Sequence, residues 1–526
     1  MFHLLRKRDP ICSAVRKNQI MKIFSFGLRA VTGSQQPPAT GPERTPRFAL
    51  ALNALRASDG SHPVWFKIRA FALVCLSLLL AGCHGVPTKS ETAARDQAKQ
   101  VASTYRPGDK KPLLPVLTTN SPLRDFVTYA MLNQPKVEAT YYDWLGSIER
   151  ITVARSLPDP QLTFQMDIQN IVTSVMPGLM VNLPGPGKLR AAADVASAVS
   201  EAKFSAFEAA ALETAFDVKR AYYQLYFLEE RLRINRETLT LLRELEQLAL
   251  VQNEVGKVTL QDVLRAQIEQ DRLKSDVANL EDSRGSLLEQ FKAALGMEAN
   301  KPAPPLPSKF ESTSLDLSSD QVLSTAIGSN KELQGLVSEV RAAEAAIGAA
   351  DKGRRPDFAV GLMADAKTSP VLYRPLATVT LPIWRDKIAA QIAEGQANKH
   401  AAEARLSAAQ INLAVAFAEK SYSYREATRN LTLLQDGLLP KQRQSLEVAR
   451  SGYLAGQIDF FNLTDAEQTL LGFAMAEVEA RSQRELALAE LSLIITGMTP
   501  SNSSINSSGA MTLSKRPMST QPAAMK

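Results

Sequence analysis

The chain carries one design twice. Pro158 and Pro184 bracket a short stretch, Pro356 and Pro382 bracket another with the same spacing of 26 residues, and the two pairs are offset by 198 positions. Each stretch follows a helix-like run and precedes a much longer one. The longer run closes at Gly256 in the first copy and at Gly456 in the second, and a further helical run follows each. A period of this length exceeds that of any solenoid repeat. The pattern is that of a duplicated half-protein, in which two short β hairpins hang from long helices. Such a chain suits an object with one end in a membrane.

The expected elements follow from periodicity and from the placement of Gly and Pro. A helix over 122–157 breaks at Gln134-Pro135. Strands over 161–169 and 176–183 follow, then a helix over 187–254 that is almost free of Gly and Pro and rich in Ala, Leu, Glu and Arg. At about 1.5 Å per residue that run is roughly 100 Å long. A return helix spans 258–297. The second copy repeats the order with a helix over 320–353, strands over 357–365 and 375–381, a long helix over 385–454 and a return helix over 458–497. Pro440 is expected to kink the long helix of this copy. Ile234, Leu241 and Leu248 are spaced by sevens, as are Leu273, Leu280 and Leu287, which is coiled-coil spacing. A plain amphipathic bundle is the alternative.

Charge is misleading when averaged. The net charge is +7, but residues 1–82 hold 12 of the 61 basic and 3 of the 54 acidic residues, leaving 49 basic and 51 acidic beyond them. The excess belongs to a leader and gives no reason to expect a nucleic-acid partner. Lys67 and Arg69 precede the apolar run Phe71 to Leu80, and Leu80-Ala81-Gly82-Cys83 follows. A short apolar run after basic residues, ending in small ones, is the form of a secretory signal peptide. Its last four residues resemble a bacterial lipobox, which makes Cys83 the expected lipidated mature N-terminus. An ordinary signal peptide with a chance cysteine is the alternative. His84, in place of an aspartate, is compatible with outer-membrane sorting. Residues 1–63 fit no signal peptide, and Val64 is the expected start. Cys12, Cys75 and Cys83 are the cysteines of the chain, so processing leaves no disulfide framework.

The expected organisation is thus a leader over 1–82, a lipid anchor and linker over 83–121, a first repeat over 122–301, a linker over 302–319, a second repeat over 320–498 and a disordered tail over 499–526. In the first strand Leu162, Phe164, Met166 and Ile168 alternate with Thr163, Gln165, Asp167 and Gln169. The pattern is one of period two, with the length of a tilted membrane strand. In the second copy Phe358, Val360 and Leu362 alternate more weakly with Ala359 and Gly361. Taken alone, each hairpin could equally be a soluble edge. Four strands cannot close a barrel, and an open edge in lipid leaves backbone groups unpaired at several kcal/mol each. Two copies would give eight strands and a filled interior, and three would give twelve with room for a pore.

The duplicated Leu183-Pro184 and Leu381-Pro382, the Pro186-Gly187-Lys188 turn, and the segments Val255 to Leu264 and Gly452 to Asp459 resemble the TolC-like outer-membrane efflux proteins. The likeness covers about 122–498. Together with the lipobox it is most similar to the lipid-anchored members that serve drug and heavy-metal pumps. The resemblance implies a fold that is mainly α with a membrane β portion. Long coiled-coil helices would form a periplasmic α-barrel, and four strands per chain would contribute to a twelve-stranded β-barrel in a homotrimer. It implies an outer-membrane, lipid-anchored channel of a tripartite efflux system and no enzyme. The implied partners are a periplasmic adaptor (membrane-fusion) protein, an inner-membrane transporter of resistance-nodulation-division type and outer-membrane lipid. Docking is implied at the tips formed by Val255, Gly256, Lys257 and Thr259 and by Ala455, Gly456, Gln457 and Asp459. The family's gate acids carry over to Asp262 and Asp465. Asn462 departs from the acidic pattern, and Ile458 stands where some members place a locking arginine. The residues themselves allow a plainer reading. Gly256 and Gly456 suit C-terminal caps, and Thr259 and Asp459 suit N-caps with Asp262 and Asn462 three residues on.

No phosphate loop, nucleophile elbow or zinc motif occurs, and no cofactor or metal site is expected. Alternatives within and beyond the fold are the exit duct of a type I protein-secretion system and a coiled-coil surface scaffold whose strand segments are mere loops.

Overall fold

The structure, a computed structural model, describes residues 87–168, 172–306, 310, 320–365 and 371–496. The leader, Cys83, most of the 302–319 linker and the 499–526 tail lie outside the described residues. The element order is α1 Lys89–Tyr105, α2 Leu123–Asn133, α3 Pro135–Arg155, β1 Gln161–Ile168, β2 Val172–Leu183, α4 Lys188–Glu254 and α5 Leu260–Ala294, followed by α6 Asp320–Ser329, α7 Lys331–Lys352, β3 Asp357–Asp365, β4 Leu372–Thr380, α8 Arg385–Thr432, α9 Leu439–Leu454 and α10 Phe460–Thr496. The duplicated order expected from the prolines and glycines is present. The chain divides into two units: the described residues up to Phe207 with Leu295–Lys301 and Val337–Ala402, and Glu208–Ala294 with Pro302–Leu336 and the residues from Glu403 on.

The first unit contains the sheet. Residues 84–121, expected as a linker, hold a docked helix instead. Thr88 caps α1 by accepting from Glu91 N at 3.2 Å. The side chain of Glu91 is fully buried and accepts from Arg95 at 3.2 Å, from Thr152 at 2.7 Å and from Arg155. The Arg155 hydrogen bond, with help from Thr152 and Arg95, holds the Glu91 carboxyl down at about 2. At the other end of α1, Tyr105 packs with Tyr141, Trp144 and Phe207 in a ring cluster with centroids 5.0 to 6.2 Å apart. Arg95 is one turn away on α1 itself, but Thr152 and Arg155 lie 61 and 64 positions along the chain, beyond the reach of any local pattern.

The second unit is built of helices. In α5 the residues drawn inward are Val263, Ala266, Gln270, Leu273, Val277, Leu280, Arg284, Leu287, Phe291 and Ala294. These positions alternate by three and four; of the leucines at sevens, Leu273 is fully buried and Leu280 and Leu287 are half-buried. In α4 the fully buried register is Asn235, Leu242 and Ala249, one position past Ile234, Leu241 and Leu248, which are only half-buried. Pro440 does not bend a continuous α-helix. The turn before it, Leu433–Leu438, is π-helical, and Pro440 stands in the first turn of α9. Proline has no N–H to close an α-helical bond, and a wider turn absorbs the gap.

Each repeat has a buried asparagine between its first two helices. Asn133 Nδ2 donates to the carbonyls of Leu295 and Gly296 at 3.1 and 2.8 Å, and Asn330 Nδ2 donates to that of Ile494 at 3.1 Å. Both therefore satisfy carbonyls at the C-terminal end of a return helix, where helical partners run out.

Candidate functional site

The four strands form one antiparallel sheet in the order β1-β2-β3-β4. The β2–β3 pairing joins the two repeats. Direct partners share a face, so the register sorts the residues into two sets. On one face run Leu162, Leu179, Leu362 and Pro375 in a row across all four strands, with Val181, Val360 and Ala377 beside them and then Leu183, Phe358 and Val379. Every member is apolar. On the other face run Thr163, Gly178, Met363 and Arg374, then Asn182, Ala359 and Thr378. Arg374 donates to Asp365 at 2.8 Å on this polar side. The apolar face is open in the single chain: Leu162 is 66% exposed and Phe164 61%. Pairing with β2 sorts the weakly alternating second hairpin onto two faces, and the second face is mixed, since Met180 and Leu376 flank Gly361 on it. Gly178 is required here, because a Cβ would meet the Met363 side chain at 2.5 Å. No described helix is long and apolar enough to cross a membrane.

The second set of residues lies at the helix tips of the second unit. Gly256 N donates to the Asn253 carbonyl and Lys257 N to that of Gln252, both at 2.9 Å. At the other tip Gly456 N donates to Tyr453 and Gln457 N to Gly452, at 3.0 and 2.8 Å. This pair of bonds is the Schellman cap, and it puts glycine at φ +72° and +70°. Thr259 and Asp459 stand at the N-cap positions of α5 and α10. Asp262 Oδ2 accepts from Thr259 N and Oγ1 at 3.1 and 3.0 Å, whereas Asn462 donates to Asp459 at 3.3 Å. Asp465 is exposed, as are Val255, Lys257, Ala455 and Gln457.

The two tips share a core. Leu242, Leu245, Val263 and Ala266 from one pack with Tyr453, Phe460, Leu463 and Ala466 from the other, and Ile458 packs against the same cluster. Position 458 therefore contributes packing to this core. Arg265 lies over the Phe461 ring at 5.3 Å. Burial raises the Tyr453 hydroxyl, and the nearby charge of Asp262 adds to the rise. Glu467, buried behind Ala466, is pushed up to about 7 by burial. Outside the core an apolar stripe stays exposed on α5: Leu260, Leu264 and Ile268, four residues apart.

Tyr453, Arg265 and Glu467 escaped sequence reasoning. A tyrosine one turn before a capping glycine and an acid in an apolar helical register are the signals that could have found them. Among the described residues no group of three or more His, Cys, Asp and Glu side chains could hold a metal.

A model of the outer membrane efflux protein family matches residues 149–297 and 322–497. Among solved structures, a membrane protein from Pseudomonas aeruginosa is similar at 18% identity and TM-score 0.64, over 74% of this chain and 96% of that one. The open state of the Neisseria gonorrhoeae MtrE outer membrane channel is similar at 16% and 0.61, over 74% and 94%. The Campylobacter jejuni CmeC outer membrane channel is similar at 14% and 0.61, over 73% and 89%. A comparison with proteins of curated function found no match.

Proposed function

The chain belongs to the outer membrane efflux protein family, and from that premise we propose that it is the passive exit duct of a tripartite pump for toxic compounds, drugs or metal ions. The observation that carries this reading is the sheet: an exposed, wholly apolar face spans four strands, and both edges are open. Lipid would cover that face, and only further strands from other copies can satisfy the edges. Three copies supply twelve strands, enough to enclose a pore. Substrates pass through the lumen chemically unchanged, while an inner-membrane transporter of resistance-nodulation-division type supplies energy.

The tips supply the docking end. Val255, Gly256, Lys257 and Thr259, with Ala455, Gly456, Gln457 and Asp459, present capped, rigid turns to a periplasmic adaptor, and the exposed apolar stripe on α5 gives that partner or a neighbouring copy a surface to bury. Asp262 and Asp465 place carboxylates beside these turns, and Asn462 a neutral amide. In a three-fold assembly each acid becomes a ring of three that attracts cations. Cys83 carries the lipid, so Cys83→Ala should abolish lipid labelling of the mature protein.

Deleting the gene and exposing cells to a panel of drugs, detergents and metal salts tests the function. Sensitivity to one compound class, restored by the intact gene, is expected. Unchanged tolerance with loss of a secreted protein would assign the duct to type I secretion instead.

A further inference from the structure

The two hairpins repeat in register as well as in sequence. Leu162 faces Leu179 in the first and Val360 faces Ala377 in the second, the same pairing moved by 198 positions. The hairpins meet at the β2–β3 seam, where Val181 faces Val360 and Met180 faces Gly361. An ion pair closes the base of this seam. Lys188 Nζ donates to both carboxylate oxygens of Asp357 at 2.7 and 2.8 Å, and Gly185 N donates to one of them at 2.7 Å.

The outer strands have no such seam. β1 and β4 are the sheet's edges, and every residue of β4 is exposed. Yet the sequence repeats the parts of the ion pair. Pro158-Asp159 recurs as Pro356-Asp357, which makes Asp159 the counterpart of Asp357. Lys188-Leu189 recurs as Lys387-Ile388, displaced by 199 because one residue is added after Pro382. Asp159 and Lys387 are both exposed, and neither has an ionic partner among the described residues.

We propose that copies of this chain join edge to edge by repeating the internal seam: Val379 faces Leu162 of the partner subunit, Thr378 faces the partner's Thr163, and Lys387 pairs with the partner's Asp159. The strand directions agree, since β1 and β4 run antiparallel within one alternating sheet. The faces agree as well, because Val379 and Leu162 both belong to the apolar face and Thr378 and Thr163 to the polar one. The copied seam differs from the original in one respect. A Cβ on Gly185 would sit 2.5 Å from the Pro356 carbonyl, and its counterpart is Ile383. The seam between copies is therefore wider at its base, and the residue added before Lys387 gives the chain the reach to cross it. Arg385 adds positive charge beside Lys387, and Asp386 opposes it.

This inference rests on the channel assembly proposed above, and paired cysteines in the full-length membrane protein separate the two. Thr163→Cys with Thr378→Cys forms the in-register pair; Gln161→Cys or Gln165→Cys with Thr378→Cys forms pairs two residues out. Direct partners bring Cβ atoms to about 5 Å, but diagonal ones only to about 7 Å, too far for a disulfide. Oxidation should link the in-register pair into covalent multimers and leave the other two as single chains on a denaturing gel. Cross-linking of an offset pair, or of none, in protein that is multimeric by mass would overturn the seam and leave the channel standing. Protein that is monomeric by mass would overturn both. The ion pair is tested by charge reversal: Lys387→Asp and Asp159→Lys should each lower the temperature at which the assembly dissociates, and the double variant should restore it. A double variant no better than the singles would remove the ion pair from the seam.

Discussion

The tip between α4 and α5 and the tip between α9 and α10 share the backbone hydrogen bonds of one cap, but not the side chains around it. At the first, Asp262 is tied to the amide and hydroxyl of Thr259. At the second, Asn462 replaces that acid and donates to Asp459, while Asp465 stands free on the surface. One turn further on, exposed Gln267 donates to Glu246 at 2.8 Å, whereas its counterpart Glu467 is buried with one oxygen lacking any partner. Leu446 stands where the first tip has Glu246. A glycine in the left-handed region after a helix determines the turn, and any residues that fill the core and reach the caps will serve around it. The two copies therefore keep the same capped backbone while the charges around it differ.

Five substitutions test how far the two tips are equivalent. Glu467→Gln makes the second tip resemble the first and should have the largest effect. The folded-state value of Glu467 is raised to about 7 from an ordinary 4.5, so the folded chain holds its proton longer than the unfolded one. Its stability is greatest below 4.5, falls as pH rises toward about 7, and is level beyond. At pH 8 the variant should gain on the order of 2 kcal/mol over the parent and at pH 4 almost nothing. Thermal melts of both proteins at the two pH values check this. Gly256→Ala and Gly456→Ala come next. Neither Cβ would meet an atom within 4 Å, so only the positive φ opposes them. Each should cost about 1 kcal/mol, and unequal losses in denaturant would end the equivalence of the two backbones. Asp262→Asn should cost about 0.5 kcal/mol through a weaker cap. Asp465→Asn should leave the melting curve unchanged.

Much of this was legible in the sequence. Pro158, Pro184, Pro356 and Pro382 delimit the hairpins, although Pro177 and Pro375 are held inside strands, and Gly256 and Gly456 sit where only glycine relaxes. The caps of Thr259 and Asp262 follow from spacing alone. The seam in α5 follows from leucines at sevens, but α4 buries the neighbouring register, because its helix turns a partly apolar face toward its partners. Helix α1 was illegible as a docked element: beyond the local Arg95, its one buried acid finds Thr152 and Arg155 more than sixty residues along the chain. The second hairpin looked weak because Ala359 and Gly361 lack bulk, and only pairing with β2 shows that they share a face with Asn182 and Thr378. Glu467 was missed because the same helical position in the first repeat, Gln267, is exposed, although its apolar helical register marks it as inward.

Single-channel recording in planar bilayers decides whether this chain conducts. The purified assembly should open in discrete steps with a preference for cations and block by multivalent cations, and Asp465→Asn should weaken both while the step count per assembly stays the same. A folded, membrane-inserted assembly that passes no current, with or without Asp465, would contradict the account.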